Sequence, residues 1–337
     1  MELTDFWFGT IAVLWIGYFF LEGFDFGVGV LLPVLGRNER ERRVLINTIG
    51  PVWDGNEVWL IVAGGATFAA FPAWYATMFS GFYVALLLVL VFLIVRVVSF
   101  EWRGKSESPR WRTTWAWANT IGSLGASLVW GVGLANLVGG VPIGSDGHYA
   151  GSFWDLFSAY TLVAGLAVVA LFAFHGATFL TLRTVGELHD RAEHAARRLA
   201  LPAVVLGAVF VVWTVAVAID RNEKDLFPPA LPAGIAVAAL VLAPLFLVRG
   251  RNGKAFSMTA VGIAAAVATL FTSLYPRVMV SSPDFGNSLT VTGAASSHYA
   301  LAVMSVVAVV FVPLVLLYQG WTYYVFRHRV RDEPVSS

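Results

Sequence analysis

Nine stretches of this chain are apolar over about 20 residues or more, the length needed to cross about 30 Å of hydrocarbon. They lie at 6–35, 51–73, 75–99, 114–139, 153–182, 199–219, 230–248, 256–276 and 298–326. Backbone N–H and C=O groups inside a bilayer must be satisfied within the segment itself, so runs of this length can only be helices. The chain therefore reads as an all-α polytopic membrane protein with nine transmembrane helices. Its composition agrees, because 58% hydrophobic and 13% charged residues are more apolar surface than a soluble domain of 337 residues can bury. The first run carries acids and is followed by no small-residue cleavage site, so it is expected to be a permanent helix rather than a signal peptide, with the mature chain beginning at Met1.

The placement of charge orients these helices. Of the 22 Lys and Arg residues, 18 fall in loops 36–50, 100–113, 183–198 and 249–255 and in the C-terminal tail with Arg327, Arg329 and Arg331. The alternate connections hold only Arg221, Lys224 and Arg277, and Arg96 lies inside an apolar run. By the positive-inside rule the N-terminus is outside and the C-terminus inside. Trp7, Trp74, Tyr75, Trp102, Trp111, Trp115, Tyr149, Trp154, Trp321 and Tyr323 gather near predicted helix ends, which suits an interfacial belt. The basic loops alternate with acids, as in "GRNERERR", and read as topology signals rather than nucleic-acid patches. The tetrapeptide "GATF" at 65–68 and 176–179 is too short to establish an inverted repeat.

Acids inside apolar runs are the strongest functional signal. Glu22 and Asp25 sit in "FFLEGFDFGVGVLLP", and Asp54 and Glu57 in "PVWDGNEVW"; each pair has i,i+3 spacing and so shares a helical face. With the N-terminus outside, all four fall in the inner leaflet, together with Arg96 and His175. A carboxylate at mid-membrane costs at least about 2.5–3.5 kcal/mol, so these acids must face a hydrated interior, meet a partner, or be protonated. Pairing of Glu57 with Arg96 would explain one of them structurally. Four acids against one base leave the others unexplained, and crowded carboxylates exchange protons. Asp25 or Asp54 is thus expected on a proton route. Gly23 and Gly27 lie opposite Asp25 and offer a face for a close neighbouring helix.

Other patterns point away from a resident redox centre. The absence of cysteine excludes disulfides, thiolate zinc sites and iron–sulfur clusters. His175 in "AFHGATF" could ligate a haem or relay protons, but a lone intramembrane histidine more often is a hydrogen-bonded core residue. The remaining histidines fall in loops or at helix ends, so no facing pair for a bis-histidine haem is offered. "ELHDRAEHAARR", with His189 and His194, reads as a cytoplasmic extension of the fifth helix or an interfacial turn and only weakly as a metal site.

"EGFDFGVGVLLP", "GRNERERRVLINTIGPVWDGNEVWLIVAGGATFAAFP", "FSGFYVALLLVLVFLIVR" and "RTVGELHDR" resemble subunit II of the cytochrome bd-type quinol oxidases, a group that includes cyanide-insensitive relatives. The resemblance runs over essentially the whole chain and is most specific in residues 20–103. It implies a bacterial plasma-membrane complex in which a larger homologous subunit I holds two haems b and one haem d, oxidises quinol near the outer face and reduces oxygen to water. Subunit II ligates none of these haems. It implies two four-helix bundles, at about 1–140 and 150–280, and an additional helix at 297–327. It also implies a proton path from the inner side, with Asp54 near its entrance, Asp25 further in, Glu22 and Glu57 in support, and Arg96 as their charge partner. A small single-helix subunit and a structural quinone occur in some relatives and are left open here. Two competing readings are a secondary transporter using the acids as coupling sites, which should show broken helices and a strong repeat, and a scaffold without a proton role.

Overall fold

The apolar runs fold into helices, bounded where glycine, proline or charge interrupts them. The structure, a computed structural model, describes residues 2–330; Arg331 of the basic tail lies outside them. Its α-helices are α1 (Leu3–Leu35), α2 (Glu39–Ile49), α3 (Trp53–Ala70), α4 (Pro72–Gly81), α5 (Tyr83–Trp102), α6 (Pro109–Gly139), α7 (Ala159–Arg183), α8 (Gly186–Arg221), α9 (Ala230–Val248), α10 (Asn252–Leu274) and α11 (His298–Val325).

Among the described residues, eight helices are long and apolar enough to cross a membrane: α1 and α5 to α11. The ninth expected span, 51–73, folds as α3, only 18 residues long and with Asp54, Asn56 and Glu57 in its first turns. The expected helix 75–99 is realised as two pieces, because Pro72 starts α4 and the chain breaks helical geometry at Phe82 before α5 begins. "ELHDRAEHAARR" extends the sixth predicted helix rather than the fifth. α7 stops at Arg183, and α8 runs unbroken through Pro202 to Arg221. The fifth span begins at Ala159, later than its apolar run, since Ser158 caps it in a reciprocal arrangement with Thr161.

α1 is apolar all round, about 50 Å long, and buried along most of its length, as such a helix must be. It packs on α3, α6, α7 and α10, while α7 to α10 pack on one another in sequence. α1 and α7 approach closely enough for backbone to meet backbone. A Cβ on Gly27 would lie 2.0 Å from the Phe172 carbonyl oxygen, and one on Gly176 would lie 2.5 Å from the Gly27 carbonyl carbon. The glycine face expected opposite Asp25 is therefore used for helix packing. Trp7 and Trp74 of the expected interfacial belt are buried within the chain: Trp7 donates to the Leu301 carbonyl at 3.2 Å, and Trp74 packs on Phe71.

One end of the bundle is closed by loops. β1 (Arg277–Met279) pairs antiparallel with β2 (Leu289–Thr290), and Val280 is tied by backbone hydrogen bonds to Leu137 and Val141. At the other end α2 is held electrostatically. Asn38 caps it by accepting from the Glu41 N–H, Arg103 reaches Glu39 at 2.5 Å, and Arg191 of α8 reaches Glu41 at 2.6 Å. Partial burial raises the proton affinity of Glu41, but Arg191 and the Arg37 N–H outweigh it and hold the carboxyl below the usual range. A depressed carboxyl pKa gives stability that is present at neutral pH and lost as pH falls through it. Glu41→Gln should thus loosen α2 at neutral pH by about 1 kcal/mol or less. Amide exchange in α2 should rise in the variant to the level the parent reaches in acid; unchanged exchange would remove this clamp from the account.

Candidate functional site

The acid cluster forms where α1, α3 and α5 meet. Gly122 of α6 lets α5 approach closely, since a Cβ there would stand 2.6 Å from the Phe92 carbonyl oxygen and 3.0 Å from the Cβ of Arg96. That approach seats Arg96 inside the protein, with its guanidinium 4.9 Å from the Phe26 ring centre and 5.3 Å from that of Phe100. Arg96 Nη1 lies 2.7 Å from Glu22 Oε1 and donates to Glu57 Oε1 at 3.1 Å. Glu22 and Arg96 are fully buried; Glu57 keeps a fifth of its side chain exposed. The pairing expected between Glu57 and Arg96 is present, but it is one arm of a triad whose shorter contact is to Glu22.

Asp25, also fully buried, is not bonded to Arg96. Its Oδ2 accepts from Asn56 Nδ2 at 2.7 Å. Asn56 Oδ1 in turn accepts from the Tyr323 hydroxyl at 2.8 Å and from Gln319 Nε2 at 3.2 Å, and Gln319 Oε1 accepts from Trp59 Nε1 at 2.7 Å. Asp54 stands apart: it is exposed on the surface of the chain at the start of α3, within electrostatic reach of Glu57. The first turn of a helix favours such an acid, because the dipole there is positive.

Several buried polar atoms of this cluster have no hydrogen-bond partner among the described residues: Tyr18 Oη, Glu22 Oε2, Asp25 Oδ1, and Arg96 Nε and Nη2. Unpaired groups of this kind are costly in a low-dielectric interior, and charged ones more so. The arrangement holds one guanidinium and three carboxyls at the junction of three helices, with a fourth carboxyl on the adjoining surface. Carboxyls gathered in this way can bind and release protons.

His175 takes the bland alternative. Its ring is buried, stacked on Phe256 with centroids 4.6 Å apart, and its nitrogens meet Thr259 Oγ1 at 2.7 Å and the Phe20 carbonyl at 3.2 Å. His189 Nδ1 lies 2.9 Å from the Thr181 carbonyl, and no group of three metal-ligating side chains is found among the described residues. Sequence reasoning missed Asn56, Gln319 and Tyr323. Asn56 stands between the two acids of "DGNE" and Gln319 interrupts the run "VPLVLLYQGW", but both are uncharged and carry no weight in a search for intramembrane charge.

With the geometry in view, the chain can be set beside known proteins. Residues 3–326 match the family model described as cytochrome bd terminal oxidase subunit II. The chain is 44% identical over 341 residues to the cytochrome bd ubiquinol oxidase subunit 2 of Bacillus subtilis, covering 99% of each. It is 41% identical to the cytochrome bd-I ubiquinol oxidase subunit 2 of Escherichia coli K12, over 98% of this chain and 96% of that one. Its fold superposes with a TM-score of 0.77 on a chain of the bd oxidase from Geobacillus thermodenitrificans, at 19% identity and with 96% and 97% of the two chains covered.

Proposed function

The chain belongs to the family of cytochrome bd terminal oxidase subunit II, and from that premise we propose that it carries protons from the cytoplasmic side toward the site of oxygen reduction. It is a subunit of a quinol oxidase, an oxidoreductase complex of the respiratory chain. In this reading the larger subunit I holds two haems b and one haem d, and those haems supply the redox chemistry; His175, with both nitrogens engaged inside this chain, does not fit as a ligand. The complex lies in a bacterial plasma membrane with the N-terminus of this chain outside. Its helices group as two four-helix units and the added α11.

The observation that carries the reading is the burial of Asp25 with one carboxylate oxygen unpaired, next to a triad in which Glu22 and Glu57 share the single Arg96 guanidinium. With acids outnumbering the one base, a carboxyl in this position can take up a proton and pass it on, because crowded carboxylates exchange protons. Asp54, on the surface, collects protons; Glu57, partly exposed, stands between it and the interior. The Arg96 guanidinium holds Glu22 and Glu57 in place. Taking protons from the inside while quinol releases them outside stores about 2.3 kcal/mol for each charge crossing 100 mV.

The test is oxygen consumption with excess quinol by purified complexes carrying Asp25→Asn or Asp54→Asn, after optical spectra show the haems intact. Turnover should fall about tenfold or more, the scale on which a positioned proton-transfer group contributes. Parental turnover in both variants would leave this chain a scaffold. The transporter alternative loses its ground with family membership.

A further inference from the structure

α11 meets the rest of the chain in an uneven way. Residues 306–307 and 309–318 of its middle are exposed, and its polar contacts lie at the two ends. At one end Trp7 Nε1 donates to Leu301 O and to Ser305 Oγ; at the other Gln319 and Tyr323, one turn apart, both donate to Asn56 Oδ1. The second set leads directly to Asp25. We propose that Gln319 and Tyr323 are positioning residues that act through Asn56 to fix the orientation of Asp25, leaving Oδ1 as the oxygen on which its exchangeable proton resides.

The direction of every bond in this relay follows from one group whose role admits no choice. An indole N–H can only donate. Trp59 Nε1 therefore requires the oxygen of the Gln319 amide on its side, at 2.7 Å, which turns Gln319 Nε2 toward Asn56. An amide NH₂ can only donate, so Asn56 must present Oδ1 to it, and Tyr323 adds a second donor to the same atom. With Oδ1 engaged twice, Asn56 has Nδ2 left for Asp25, and that NH₂ again can only donate. Asp25 Oδ2 is thereby fixed as an acceptor whether the carboxyl is ionised or protonated. A proton on Asp25 belongs on Oδ1, which is buried and has no partner among the described residues. Without the two donors on α11, the Asn56 amide could turn over and present its oxygen to Asp25, and the proton could then sit on either carboxyl oxygen.

This inference rests on the proton route proposed above, and its test separates the two. Tyr323→Phe removes one hydroxyl and keeps the ring that lies edge-on to Phe24 with centroids 6.5 Å apart; Gln319→Leu removes the amide. Each should lower turnover of the haem-intact complex about three- to tenfold with the KM for quinol unchanged, since misorientation affects the proton step and not quinol binding. The infrared bands of the Asp25 carboxyl group, identified by their loss in Asp25→Asn, should shift in both variants. Bands at the parental position in both variants would overturn the positioning role, whatever the turnover. Shifted bands with parental turnover in Asp25→Asn would keep the positioning role and overturn the proton route. If Gln319→Leu fails to assemble, Tyr323→Phe alone carries the same band measurement.

Discussion

Arg96→Met should abolish assembly of the complex. The side chain is fully buried and is the only cation within ion-pair distance of Glu22 and Glu57 among the described residues. Methionine keeps much of the volume and the apolar packing on Phe26 and Phe100, so the loss is electrostatic. Removing one partner of a buried ion pair costs about 3–5 kcal/mol, because the other is left as an uncompensated charge, and here two carboxylates are left. That is a large share of the stability of an ordinary domain. Yield of haem-loaded complex after detergent extraction would measure it. Arg96→Met combined with Glu22→Gln should recover part of that yield, since the fully buried acid is neutralised while the partly exposed Glu57 can be solvated. A single variant that assembles normally would mean that the triad is not what holds α1, α3 and α5 together.

Much of this cluster was legible in the sequence because charge in an apolar run is rare and expensive, so each such residue announces a partner. Glu22, Asp25, Glu57 and Arg96 could be drawn to one region by depth alone, given the orientation that the basic loops imply. What depth cannot supply is lateral contact. It does not say that Arg96 sits closer to Glu22 than to Glu57, or that Asp25 is held by an amide instead of a cation. Asn56, Gln319 and Tyr323 escaped because neutral polar residues cost little enough near a helix end to occur there without a role, and Tyr323 also fitted the aromatic belt. The break at Phe82 escaped for a related reason: hydropathy runs straight through "MFSGFYVALL", and only local backbone geometry separates α4 from α5. α3 shows the opposite failure. Its apolar run extends to residue 73, yet its helix is only 18 residues long and spends its first turns on the polar site.

Gly176→Val should be as damaging as the loss of Arg96, although it changes no charge. A Cβ on Gly176 would fall 2.5 Å from the carbonyl carbon and 2.6 Å from the Cα of Gly27, both backbone atoms of the buried central helix, and no side-chain rotation relieves that. α1 and α7 would have to separate. Overpacking in a core costs about 1–3 kcal/mol when side chains can shift, and more is expected where only backbone can yield. Displacing α1 would also move Glu22 and Asp25 away from Arg96 and Asn56, so packing and site would fail together. Gly65 provides the comparison, because it opens the same tetrapeptide "GATF" on α3 and a Cβ there meets nothing within 4 Å. Gly65→Ala should assemble and turn over normally, helped by the better helix propensity of alanine. Equal tolerance at both positions would show that the α1–α7 contact is looser than drawn. Opposite outcomes would show that an identical four-residue sequence has two unrelated tasks, set by which helix lies against it.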